Sequence, residues 1–279
     1  MKIAYGFWRY GNGDLETAMD MVEAAREAGI THLDTADVYG YPDFGAAEKL
    51  LGEMRARAPS LLQGVEIATK ASVEIGTPYN ASKNYIANAI DASLMRLQLE
   101  CVDLFYIHRP DTFAHPAETA AALDAIVTAG KAKRIGVSNY SVPQLNSLQA
   151  HLKAPVTALQ VEFSALHVSP ASDGTFDLAM ERSLDVFAWS PLAGGRLFQG
   201  EDLQAIRVRK SAEAIATERG TTIDDVAISF VTSHPAAPTA IVGTKNKYRL
   251  AQAVKASTER LDRKEWYAVF QACTGEKLP

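Results

Sequence analysis

VDLFYIHRPD, residues 102–111, is an almost unbroken apolar run that ends in a histidine. A strand with one wet face alternates apolar and polar side chains. A strand covered on both faces does not, and continuous runs of this kind belong to parallel sheets wrapped by helices. The run stops at Arg109-Pro110-Asp111, a predicted turn, and helical spacing resumes over 117–129. Strand, turn and helix in that order make one βα unit.

The same unit recurs along the chain. Strands are predicted at 3–8, 31–34, 65–69, 102–107, 134–138, 157–163, 185–189 and 239–242. Helical stretches fall between them: one capped by Asp14 and stopped by Gly29, one opened by Ser82, then 117–129, 142–152, 174–183, 202–219, 222–233 and 246–257, with a terminal helix at 263–273. In the Ser82 helix, Ile86, Ile90, Leu94 and Leu97 form one buried stripe. Eight strands in succession favour an α/β chain folded as a (β/α)8 TIM barrel over an open doubly wound sheet. No GxGxxG follows the first strand, which weakens the open dinucleotide-binding alternative. No linker or low-complexity tract interrupts residues 1–279, so a single domain is expected.

Bulk properties exclude several function classes. With 28 basic and 33 acidic residues the net charge is −5, which gives no general attraction to nucleic acid or anionic lipid. The two cysteines, Cys101 and Cys273, make neither a disulfide framework nor a metal-ligand spacing. No strand is followed by HxH, so no metal site is expected. The N-terminus lacks the apolar core of a signal peptide, and no run approaches the ~18 residues of a membrane span. A cytoplasmic protein fits best.

Polar residues gather where a barrel keeps its chemistry, at the C-terminal ends of strands. Asp34, Lys70 and His108 end the second, third and fourth; Ser138 and Asn139 end the fifth; Gln160 lies late in the sixth; Trp189 and Gly243 end the last two. HLDTADVYG, 32–40, adds a second carboxylate, Asp37, and a phenol, Tyr39. Taken singly, Asp34 serves equally well as turn chemistry, Lys70 as a solvated strand end, His108 as a structural histidine and Asp37 as loop solvation. Together they suggest more. A phenol titrates near 10, an ammonium within ~4–6 Å lowers that value, and a carboxylate keeps the ammonium charged. Such a set makes a proton donor for a carbonyl under reduction, with the hydride coming from elsewhere.

These motifs resemble those of the aldo-keto reductase superfamily, and the match covers essentially the whole chain. It rests on HLDTADVYG, ATK (68–70), DLFYIHRPD (103–111), GVSN (136–139), LQVEFS (159–164), AWSPLAGGRLF (188–198) and IVGTKNKYR (241–249), in the family's order. The resemblance implies a (β/α)8 barrel that uses NADPH, with NADH possible, without a Rossmann fold. It implies Tyr39 as general acid, Lys70 and Asp34 as the pair that tunes it, and His108 as the group that orients the carbonyl. The five-residue step to Tyr39 selects Asp34 over Asp37. Ser138, Asn139 and Gln160 would hold the nicotinamide carboxamide, and Trp189 would stack on the ring. Ser190, Leu192, Gly194, Gly195 and Arg196 would fold over the pyrophosphate. Gly243, Thr244, Lys245, Arg249 and Gln252 would form the adenosine 2′-phosphate end. Two departures bear on NADPH preference: Gly243 stands where many relatives carry lysine, and Gln252 where a glutamate often contacts the adenine. The length and AWSPLAGGRLF look most like the shorter bacterial members.

The implied activity is NADP-dependent reduction of an aldehyde or ketone to an alcohol by a monomer acting on a small carbonyl substrate. Two other readings compete: a non-catalytic NADPH-binding regulatory subunit, and a Schiff-base enzyme using Lys70. Trp8, Tyr79, Phe113 and His115 are placed by their loops to line a substrate pocket. Core packing is an equal reading for Phe7 and Trp8.

Overall fold

A computed structural model describes residues 2–278. Its strands are β1 (Ile3–Gly6), β2 (His32–Asp34), β3 (Glu66–Ala71), β4 (Val102–Ile107), β5 (Ala132–Ser138), β6 (Val156–Glu162), β7 (Asp185–Trp189) and β8 (Thr239–Val242). The helices are α1 (Leu15–Glu27), α2 (Ala46–Arg57), α3 (Lys83–Leu97), α4 (Pro116–Thr128), α5 (Val142–Gln149), α6 (Thr175–Glu181), α7 (Arg196–Gln199), α8 (Leu203–Arg219), α9 (Ile223–Ser233), α10 (Lys247–Ala256) and α11 (Arg263–Thr274). The strands close into a barrel in sequence order, β1 to β8. The expected (β/α)8 architecture is therefore correct. Among the described residues, no helix is long and apolar enough to cross a membrane.

The chain divides into two compact units, one running from Ala4 to Gln160, the other joining the N-terminal residues through Ile3 to Val161 and all that follows. In the first, parallel pairing aligns Gly6 with Asp34, Asp34 with Ala68, Lys70 with Tyr106 and Ser138 with Gln160. Strands β2 and β5 stop on the polar residues that sequence placed at their ends, Asp34 and Ser138. Tyr5, Phe7 and Tyr10 pack together, with Phe7 and Tyr10 ring centroids 4.9 Å apart. Phe7 is thus core, whereas Trp8 is 68% exposed. Gly136 is required on β5 because an added Cβ would lie 2.6 Å from the buried Tyr106 ring.

In the second unit, β7 and β8 pair in parallel. An aromatic stack of Phe163, Phe230, Trp266 and Phe270 supports the helices behind them, with successive centroids 5.6, 5.0 and 5.3 Å apart.

Two local expectations change. Asp14 does begin α1, but its side chain caps nothing in the helix and accepts instead from the backbone N–H of Gly11 at 3.0 Å. Helix α2 was not anticipated at all. Its buried face carries Glu48 and Gly52 among Ala47, Leu50, Leu51 and Met54, and that mixture interrupts the apolar period.

Candidate active site

Four strands of the first unit bring the expected polar groups together. Lys70 lies inside β3 rather than after it, and its side chain is fully buried. Its Nζ donates to Asp34 Oδ2 at 2.7 Å, to the Thr35 carbonyl at 2.7 Å and to the Tyr39 hydroxyl at 3.4 Å. An ammonium has three donors, and all three are committed. The other carboxylate oxygen of Asp34 accepts from Gln160 Nε2 at 2.8 Å, so β2, β3 and β6 meet at one carboxylate. The Tyr39 and His108 rings meet edge to face at 5.7 Å.

Burial disfavours charge on Lys70. Asp34 and Tyr39, through charge and hydrogen bonds, outweigh it and leave the ammonium more stable than usual. For Tyr39, burial pushes the phenol above its ordinary value, while Lys70 pulls the other way without prevailing. The sequence reading expected a net lowering; the direction of Lys70's pull is as expected, but burial is the larger effect. His108 is held well below the usual imidazole range by burial, then by the charges of Lys70 and Arg109. Its ring is therefore neutral at pH 7, and Nδ1 is buried without a hydrogen-bond partner.

Asp37 is not a solvated loop residue. Its Oδ1 is buried without a partner, and burial, then Glu48, push the carboxyl up to about 8. Its backbone N–H donates to the Lys70 carbonyl at 3.0 Å.

Asn139 follows β5 in the left-handed region at φ 59°, a conformation asparagine tolerates better than most. Its amide donates to Ser138 Oγ at 2.8 Å and to the His108 carbonyl at 3.3 Å, joining the end of β5 to the histidine's backbone. Arg109 escaped the sequence reading as anything but a turn residue. Ser72, at φ 120°, holds it by accepting from its N–H at 3.0 Å and donating to its carbonyl at 2.9 Å. The loops after β1 to β4 expose Trp8, Tyr41, Phe44, Tyr79 and Phe113. Tyr41 and Phe44 had given no sequence signal. His115 instead caps α4, its Nδ1 accepting from the Ala117 N–H.

The second unit carries the remaining candidates. Trp189 is the last residue of β7, half-buried. Within the next six residues Ser190, Ala193, Gly194 and Gly195 all have positive φ, and space is open where a Cβ on either glycine would stand. Strained backbone of this kind collects at ligand sites. Leu192 precedes a short 3-10 turn, Ala193–Gly195. Arg196, expected over the pyrophosphate, bonds Asp202 at 3.2 Å and Gln204 at 2.5 Å. Gly243 and Thr244 leave β8 half-buried, and Lys245, Lys247 and Arg249 are exposed where α10 begins. Asn246 caps that helix, accepting from the Arg249 N–H at 3.1 Å, and no acidic residue lies in its first turn. Gln252 sits one turn further on, half-buried.

Comparison with known proteins gives three findings. The family model described as Aldo/keto reductase family matches residues 2–272. A 6-dehydroglucose reductase of Novosphingobium aromaticivorans is 40% identical over 99% of this chain and 93% of its own length, and the uncharacterized oxidoreductase YcsN of Bacillus subtilis is 32% identical over 100% and 96%. A crystal structure of a thermostable aldo-keto reductase, in complex with the inhibitor epalrestat, superposes with a TM-score of 0.84 at 23% identity, covering 98% of this chain and 95% of that one.

Proposed function

The chain belongs to the aldo/keto reductase family, and on that premise we propose that it reduces an aldehyde or ketone to an alcohol with a nicotinamide cofactor, Tyr39 giving the proton. The observation that carries this reading is the buried Asp34–Lys70–Tyr39 chain with its neutral histidine alongside.

The residues present fit the cofactor. The positive-φ run at 190–195 leaves backbone open to a pyrophosphate, and three cations at the start of α10 suit a phosphate. Ser138, Asn139 and Gln160 offer neutral donors and acceptors for a carboxamide, and Trp189 offers a ring face. Ser190, Leu192, Gly194 and Arg196 would take the pyrophosphate; Gly243, Thr244, Lys245, Arg249 and Gln252 would take the adenosine end. Arg196 would do so only by leaving or sharing its present partners. A bound nicotinamide supplies hydride, which no side chain here can provide. The cation cluster supports NADPH over NADH.

Each side chain then has a task its surroundings support. Tyr39 is kept protonated through neutral pH by burial and gives its proton as negative charge develops on the carbonyl oxygen. Lys70 tempers the cost of the phenolate left behind, and Asp34 keeps Lys70 charged. A buried ring nitrogen with no acceptor is best left unprotonated, which puts the proton of neutral His108 on Nε2, where it can donate to a carbonyl oxygen. The same geometry argues against Lys70 as a Schiff-base nucleophile, because that chemistry needs a depressed amine pKa.

The relative named 6-dehydroglucose reductase and the exposed aromatic rings after β1 to β4 make a carbonyl-bearing sugar the substrate class to test first. The test is NADPH oxidation with sugar aldehydes and with 4-nitrobenzaldehyde, in parallel with Tyr39→Phe. Turnover that falls by roughly 10²–10⁴ in the variant is expected. Full kcat in Tyr39→Phe would remove Tyr39 as donor, and tight NADPH binding without turnover on any carbonyl would favour a regulatory role.

A further inference from the structure

Glu48 is a wholly buried carboxylate to which the proposed reaction gives no task. Its Oε1 accepts from the Thr69 hydroxyl, and its Oε2 accepts from Arg96 Nε at 2.7 Å. Thr69 is the neighbour of Lys70 on β3. Side chains on a strand alternate faces, so Thr69 reaches out to α2 while Lys70 reaches in to Asp34 and Tyr39. Glu48 itself lies in the first turn of α2, and the start of that helix holds Tyr39: the Tyr39 carbonyl accepts from the N–H of Gly45 at 3.0 Å and of Ala47 at 3.4 Å. One carboxylate thus ties the helix that grips the phenol's backbone to the strand that carries the ammonium.

The surroundings are shaped to admit this tie. A Cβ on Gly45 would stand 2.8 Å from Arg96 Cδ, and one on Gly52 would stand 2.1 Å from the Arg96 carbonyl oxygen. A side chain is thus missing at Gly45, where the Arg96 side chain passes to reach Glu48, and at Gly52, where the Arg96 backbone packs against α2. Ser93 Oγ accepts a further hydrogen bond from Arg96 at 3.2 Å. A buried ion pair is a poor source of stability compared with apolar packing, so its use here calls for a geometric reason. The Lys70–Tyr39 contact supplies one. At 3.4 Å it lies at the limit of hydrogen bonding, and a shift of a few tenths of an ångström breaks it.

We propose that Glu48 is a positioning residue whose buried carboxylate sets α2 in register with β3 and so keeps the Tyr39 phenol within reach of the Lys70 ammonium. The proposal rests on Tyr39 as the proton donor for its effect on turnover, but not for its effect on the phenol itself. The experiment is therefore a titration of Tyr39 in full-length protein labelled with ¹³Cζ-tyrosine, the resonance assigned by its absence in Tyr39→Phe. In Glu48→Gln the midpoint is expected to rise by about one unit, the direction expected of Lys70→Met, because the lysine's pull weakens with distance. With a carbonyl substrate, kcat should fall about tenfold or more while KM for NADPH holds. Thr69→Val should give a smaller rise and Thr69→Ser should restore the parent value, which carries the test if Glu48→Gln does not fold. Folded Glu48→Gln and Thr69→Val with an unmoved Tyr39 midpoint overturn the proposal, even if both melt earlier. A moved midpoint together with full turnover in Tyr39→Phe upholds the positioning role and sinks the proton-donor reading instead.

Discussion

Asp34 and Asp37 stand three residues apart and meet opposite surroundings. Asp34 has an ammonium at 2.7 Å and an amide at 2.8 Å. Asp37 has a buried oxygen with no partner; Glu48 repels it from α2, Tyr85 faces it from α3, and Arg96, Lys70 and the Val38 N–H only partly compensate. The sign of the consequence follows from the upward shift. Between its ordinary value of 3.8 and about 8, the folded protein holds a proton that the unfolded chain has released. Stability therefore falls as pH rises through that window and is level above it. Asn cannot ionise, so Asp37→Asn should raise the melting temperature by roughly a few degrees at pH 8–9 and by nothing near pH 4. Parallel melts at the two pH values check it; an equal gain at both would show that burial of the charge is not the cause. In the sequence this aspartate read as loop solvation, since its neighbours Glu48, Tyr85 and Arg96 lie 11, 48 and 59 residues away along the chain. The spacing of Asp34 and Tyr39 was legible because it is local. The balance that raises the Tyr39 pKa was not, because it depends on how much water the fold removes.

The strands could be read because burial on both faces forces a continuous apolar run, as VDLFYI shows on β4. Predicted and observed strands accordingly agree to within two residues at every end. Helix α2 stayed hidden for the opposite reason: its inner face is where the chain places a charge and a glycine. Gly52 is the clearer case. Alanine usually stabilises a helix interior relative to glycine by about 1 kcal/mol. Here the added Cβ would meet backbone, the Arg96 carbonyl at 2.1 Å, so α2 and α3 must part. Overpacking of this kind costs about 1–3 kcal/mol, enough to reverse the sign. Gly52→Ala should melt several degrees below the parent; a melting temperature equal or higher would mean that the two helices separate freely. The same substitution at exposed Gly64 or Gly76 meets no neighbour and carries only the strain of positive φ.

As a whole the protein carries a net charge of −5, and the proposed function requires it to bind an anionic cofactor. The long-range field works weakly against that, since charges more than ~8 Å apart in physiological salt are largely screened. Local arrangement therefore decides, and Lys245, Lys247 and Arg249 at the start of α10, with no acidic residue in its first turn, would suit the phosphate of the proposed cofactor. NADPH differs from NADH by one such group, so the cluster should act on the difference between them. Charge-assisted hydrogen bonds contribute about 1.5–3 kcal/mol each, which for two residues predicts a loss of roughly 10²–10⁴-fold. Lys245→Ala combined with Arg249→Ala should weaken NADPH binding by that factor and leave NADH within about threefold. The parent's NADPH affinity should also fall more steeply with added salt than its NADH affinity, and the double variant should lose that extra steepness. Calorimetric titration of both cofactors at two salt concentrations makes the comparison. An equal loss for NADH and NADPH would show that these cations serve the shared pyrophosphate or the fold, and would remove the support that the cluster gives to NADPH.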